Sequence, residues 1–134
     1  MRSFCLILFL LLPLSALEFT LVAHKDFPIT QLSKKQLKAL YLKKVLYLNG
    51  VRVVTINIAS NTALREAFEK SVLAMKQKSL KMYWSKAHYQ GLRPPKVVRS
   101  NKNILAYLEN VPGSIAYLPK DFPTQNLHIL KVEE

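Results

Sequence analysis

Segments suited to strands and segments suited to helices alternate along almost the whole chain after residue 16, and this alternation limits the fold more than any single motif does. Residues 18–24 (EFTLVAH) are rich in strand formers and run into a turn at Lys25-Asp26-Phe27-Pro28. Ser33 and Gln36 have the spacing of a capping box, and Leu37, Leu40 and Tyr41 follow at helical spacing. A short strand is expected over 45–48. Asn49-Gly50 then marks a two-residue hairpin, because a type I′ turn needs positive φ at both central positions. One strand is predicted over 51–59, with Val54, Ile56 and Ile58 on one side and Val53, Thr55 and Asn57 on the other. Ser60-Asn61-Thr62 opens a helix whose apolar stripe runs through Leu64, Ala67, Phe68, Val72 and Met75. A second helix covers 78–88, broken by Gly91 and Pro94-Pro95. A strand over 96–99, a helix over 101–109, and strands over 114–118 and 127–132 complete the series. The order β-α-β-β-α-α-β-α-β-β predicts an α/β domain, a mixed β-sheet flanked by helices.

Residues 1–16, MRSFCLILFLLLPLSA, have the layout of a secretory signal peptide: a basic start, an apolar run, and small residues before a cleavage point. The run is shorter than the ~20 residues of a spanning helix. An uncleaved N-terminal anchor is the alternative. Cys5 precedes most of the apolar run, which argues against lipidation. Residues 17–134 are then one exported, periplasmic domain. The chain has 134 residues, half of them hydrophobic, too apolar for a disordered basic tail. Its single cysteine excludes an internal disulfide, and no Cys/His spacing suggests a zinc site.

Ser60, Asn61 and Thr62 are the best candidates for an anion site. A helix start offers free N–H groups and the positive end of the dipole, and two hydroxyls and an amide stand beside them. The same residue types are also the preferred helix caps, and capping alone would account for them. Arg65, one turn on, either pairs an anion or is a solvated surface charge. Glu66 and Glu69 read as an ordinary solvated face.

The formal net charge is +12, and Lys70 to Lys102 carries nine basic residues and no acid. Such a surface attracts polyanions. Tyr83 and Trp84 interleave with this run, but they lie on the apolar helix face, which favours core packing over base stacking. Export puts nucleic acid out of reach. An anionic envelope surface, a cell-wall polymer or an acidic protein suits the charge better. His24, His88 and His128 are far apart, so no metal site is expected. No Gly-x-Ser-x-Gly elbow or compelling carboxylate pair is present, and the chain reads as a non-enzyme with no cofactor.

Several landmarks stand in one order: a first strand, Leu32-Ser33, a helix ending Tyr41-Leu42-Lys43-Lys44, Tyr47, and Asn49-Gly50 before a Val-rich strand. Ser60-Asn61-Thr62, Arg65-Glu66-Ala67-Phe68, Tyr83-Trp84, Pro94-Pro95 and Pro112-Gly113-Ser114-Ile115-Ala116-Tyr117 follow. Over residues 19–118 this resembles the phosphate-binding-protein-like branch of the type II periplasmic binding proteins, the substrate-binding proteins of ABC transporters. The resemblance implies a single lobe of that fold, a small oxyanion such as phosphate as ligand, Ser60, Asn61, Thr62 and Arg65 at the site, and a transporter or other envelope protein as partner. A full receptor has two lobes; this chain has length for about one. The family's ligand-pairing Arg and adjacent acidic residue have no counterpart in Asn57-Ile58-Ala59-Ser60. Asn61, Lys43 and Ala116 stand where the family has Gly. The alternative is an envelope interaction or scaffold module that kept the lobe fold and lost ligand binding.

Overall fold

The computed structural model describes residues 19–134. The expected signal peptide, 1–16, lies outside the described residues. The chain folds in the order β1 (Phe19–Ala23), β2 (Gln31–Ser33), α1 (Lys34–Tyr41), β3 (Tyr47–Leu48), β4 (Val51–Arg52), β5 (Val54–Asn57), α2 (Ala63–Phe68), a π-helical turn (Glu69–Leu73), α3 (Gln77–His88), β6 (Lys96–Val97), α4 (Asn101–Asn110), β7 (Ser114–Pro119) and β8 (His128–Glu133).

Six strands form one sheet in the order β2-β8-β1-β7-β5-β6, and β3 and β4 form a separate hairpin. β1 runs antiparallel to both neighbours, pairing Leu21 with Tyr117 of β7 and with Leu130 of β8. The β2–β8, β5–β7 and β5–β6 pairs are parallel. The sheet is therefore mixed, as expected. Ser114 to Leu118 is buried throughout, which requires cover on both faces of β7.

Local signals that depend on a few neighbouring residues are realised in detail. Ser33 Oγ accepts from Gln36 N–H at 3.1 Å, and Gln36 Oε1 accepts from Ser33 N–H at 2.8 Å. Asn49 and Gly50 have φ of 46° and 78°. Three expectations need correction. The strand over 51–59 is two strands: Val53 N–H bonds to Leu46 O in the hairpin, and Val54 N–H bonds to Gly113 O beside β7, so the chain changes partner between adjacent residues. The helix over 62–75 stays α-helical only to Phe68. It widens into the π turn and stops at Ala74, which is left-handed at φ 51°. No strand is expected between the first strand and the first helix, but Gln31–Ser33 forms an edge strand, β2, paired with β8.

The core gathers on aromatic rings. Phe68 stacks on Tyr117 at 3.9 Å between centroids, and Tyr41 meets Phe68 edge-on at 4.8 Å. Phe19 closes the group at 5.3 Å from Phe68. Tyr41 Oη donates to Ile56 O at 2.8 Å, and Tyr117 Oη donates to Asn57 Oδ1, so both buried phenols have acceptors.

Burial raises the pKa of Tyr41 well above 10.0, with Tyr117 adding to it, and burial likewise raises that of Tyr117. Unfolded phenols lose their protons near pH 10 and the folded ones keep them. Above that pH the native state binds more protons, so stability falls as pH rises. Urea midpoints are expected to hold steady up to about pH 9.5 and then drop, by at most ~1.4 kcal/mol per pH unit per phenol. A flat profile through pH 11 would show that neither phenol is protected.

Candidate anion-binding site

β5 and β6 run parallel and end side by side at Asn57 and Val97. The carboxyl ends of parallel strands are where α/β sheets place ligands, because the loops there are free of the sheet and lead into helices. Asn57 fixes the start of this loop: its Oδ1 accepts from Ile58 N–H at 3.0 Å and from Tyr117 Oη. Thr62 fixes the end. Its hydroxyl donates to Ala59 O at 2.8 Å and accepts from Arg65 N–H at 3.4 Å, and its N–H bonds to Ala59 O at 3.3 Å. Thr62 is thus the N-cap of α2, with its side chain engaged. Ser60 and Asn61 are left exposed at the tip of the loop.

Arg65 is not a free surface charge. Its Nε donates to Glu69 Oε1 at 2.7 Å and its Nη1 donates to Ile58 O at 2.9 Å, with only 21% of the side chain exposed. Glu69, expected on a solvated face, is 4% exposed; its other oxygen accepts from Gln77 Nε2 at 2.5 Å. The π turn explains the difference: widening the helix at 69 brings Glu69 inward together with Val72 and Leu73. Burial without a partner would be costly for this carboxylate, and Arg65 supplies the opposite charge.

Arg65 lies in the walls of two depressions. One, of about 480 Å³, is formed with Ala59, Ser60, Asn61, Val97 and Arg99. Ser60, Asn61, Arg65 and Arg99 supply its polar side chains and no carboxylate lines it; Arg65 is already paired with Glu69, so Arg99 is its uncompensated charge. Arg99 is exposed and forms no ion pair among the described residues. The other, of about 530 Å³, has Glu69, Asn57 and Tyr41 among its polar groups and Trp84, Leu73 and Leu80 among its apolar ones. The first has donors and charge for an oxyanion and no carboxylate in its wall; the second is lined by Arg65, Lys78 and Lys81 but also by the Glu69 carboxylate.

The structure brings Ser60, Asn61 and Arg65 to one depression and places Thr62 next to it as the cap. Arg99 was visible in the sequence only as one charge in a basic run; its place depends on the β5–β6 pairing. The Arg65–Glu69 pair did have a signal, the i, i+4 spacing. Tyr83 and Trp84 pack partly buried against the core, with Tyr83 Oη donating to Leu42 O at 2.5 Å. Among the described residues no group of three or more His, Cys, Asp or Glu is placed to hold a metal ion, and no helix is long and apolar enough to cross a membrane.

No protein-family model matches the chain, and no curated protein sequence matches it. Solved structures do. A phosphate ABC transporter substrate-binding protein from Clostridium perfringens, with bound phosphate, aligns with a TM-score of 0.69 at 19% identity, over 85% of this chain and 44% of that one. The fold is that of a periplasmic-binding-protein lobe. An ABC-type phosphate transport receptor from Vibrio cholerae aligns with a TM-score of 0.67 at 14% identity, over 89% of this chain and 48% of that one. PstS from Borrelia burgdorferi gives 0.68 at 16%, over 87% and 47%. The lobe spans less than half the length of each of these structures.

Proposed function

We propose that this chain is a periplasmic oxyanion-binding module, exported by residues 1–16, that holds phosphate or a related anion without covalent chemistry. The observation that carries this reading is the 480 Å³ depression, where Arg65 and Arg99 flank Ser60 and Asn61 with no carboxylate in the wall. The first-turn N–H groups of α2 lie beyond the cap and add to the positive field. Likeness in fold to a protein crystallised with bound phosphate supports the choice of anion. Link to an ABC transporter is part of the same proposal. Ser60 and Asn61 are exposed, so an anion held there stays open to water, and affinity is expected in the millimolar range and sensitive to salt.

Isothermal titration with phosphate and with sulfate tests it. Arg99→Gln removes a charge that forms no ion pair among the described residues, and should weaken binding about tenfold with no change in melting temperature. Absence of heat with both anions at millimolar concentration ends this reading.

A second reading, an envelope interaction module, is favoured by the outer face of α3. Met82, 54% exposed, stands there among Lys78, Lys81 and Lys86, and Tyr89, 90% exposed, follows as the helix C-cap. In-cell crosslinking from position 82 that gives one defined adduct would favour it over anion binding.

A further inference from the structure

At the opposite end of β5 from the 59–62 loop lies a cavity of about 390 Å³ that the anion reading above does not use. Lys43, Arg52, Arg93 and Lys96 line it, together with Thr55, and no carboxylate does. None of these cations forms an ion pair among the described residues. We propose that this cavity is a second anion site, built for a multiply charged phosphoryl group such as a diphosphate or a phosphomonoester.

Three observations support a built site over a chance cluster of surface charge. First, two of the cations are already positioned by aromatic rings. The Arg52 guanidinium lies 5.6 Å from the Tyr47 ring centroid, and Lys96 Nζ lies 5.0 Å from that of Tyr107. Binding an anion then orders less side chain than it would on a free surface.

Second, Thr55 is 1% exposed and its Oγ1 has no hydrogen-bond partner. Buried hydroxyls without partners are uncommon, and this one stands in the wall of the cavity, where it can donate to a ligand oxygen.

Third, Lys43 is held in the left-handed region at φ 61°, a conformation that a glycine would adopt without strain. Burial, and then the charge of Arg52, push its ammonium pKa below the ordinary value. Like charges gathered without a counter-ion disfavour each other, and a bound polyanion relieves that repulsion.

The charge count sets the ligand class. A single negative charge leaves most of the cationic field unanswered, whereas a diphosphate or a doubly ionised phosphomonoester can engage several of the cations at once. The phosphoryl group can come from a soluble molecule or from a lipid headgroup. Val45 and Tyr47, 39% and 53% exposed on the adjoining hairpin, leave both sources open.

Titration of inorganic pyrophosphate into the protein, followed by amide NMR, tests the site. Shifts are expected at Lys43, Thr55 and Gly91 to Arg93, and Lys43→Gln/Arg93→Gln should weaken that response at least about tenfold while Arg99→Gln leaves it unchanged. Thr55→Val should weaken it at unchanged chloride affinity. The separate Ser60–Asn61 amides report the oxyanion depression, so loss of one response does not imply loss of the other. Vesicles of phosphatidylcholine with phosphatidic acid identify the source: capture that pyrophosphate reverses assigns a lipid headgroup, and pyrophosphate binding without capture assigns a soluble ligand. Pyrophosphate that shifts none of these amides, or that binds the double variant as well as the wild type, overturns the proposal.

Discussion

Phe68→Ala should cost about 3–5 kcal/mol of stability, a large share of the ~5–15 kcal/mol that holds a domain of this size folded. Phe68 is fully buried and lies parallel to Tyr117, the interplanar angle being 3°, while Tyr41 and Phe19 meet it edge-on. Truncation removes its ring from contact with three others and leaves a void between α1 and β7 that these packed elements cannot close. Melting temperature should fall by roughly 10–20 °C. Phe68→Leu keeps most of the volume and should cost much less, about 1–1.5 kcal/mol. Because Glu69 follows directly, the alanine variant should also loosen the Arg65–Glu69–Gln77 network. Anion affinity at the 59–62 loop should then drop by more than in the leucine variant. Urea melts of the two variants check the first claim. A cost below about 1 kcal/mol for the alanine would mean that the ring is not a keystone of the core.

Gly113→Ala should be nearly as damaging, for a different reason. Gly113 has φ +79°, and a Cβ built there would lie 2.2 Å from the carbonyl oxygen of Arg52. That atom is backbone, so no rotamer change relieves the overlap. Gly113 O also accepts from Val54 N–H at 2.9 Å, at the point where the chain leaves the β3–β4 hairpin and joins the main sheet. The left-handed backbone costs an alanine ~1 kcal/mol, and prising the hairpin from the turn adds about 1–3 kcal/mol. A total near 2–4 kcal/mol is expected from denaturant unfolding. Gly91→Ala is the control: φ is also +78° there, but a Cβ meets nothing within 4 Å. It should cost only the conformational part, ~1 kcal/mol. Equal costs at the two positions would show that close approach to Arg52 is unimportant.

The comparison between sequence and structure divides along the range of the interactions. Ser33 with Gln36, and Asn49 with Gly50, are decided within four residues, and each is formed as read. The α/β class also follows from the sequence, because the alternation of segments survives small errors in their boundaries. The split of 51–59 was hidden, since Val53 and Val54 are alike in chemistry and differ only in which distant carbonyl each N–H meets. β2 was hidden too: three residues paired with β8, a hundred positions away, leave little local trace. At the candidate site, Ser60, Asn61, Thr62 and Arg65 share one loop and one helix turn, so their closeness was legible. Arg99 required the β5–β6 pairing. Glu69 was misread because a regular helical period places it outside, and the π turn does not follow that period.

β1 lies inside the sheet, between β7 and β8, so the first described strand has as its neighbours the last two. During synthesis its hydrogen-bonding edges stay empty until residues 114–133 have emerged. Until then the growing chain cannot complete the sheet, and the ring cluster lacks Tyr117. Folding is therefore expected to wait for these two strands and to be limited by closing a long loop. A nascent chain halted before residue 114 should remain protease-sensitive, and one released after residue 133 should become resistant.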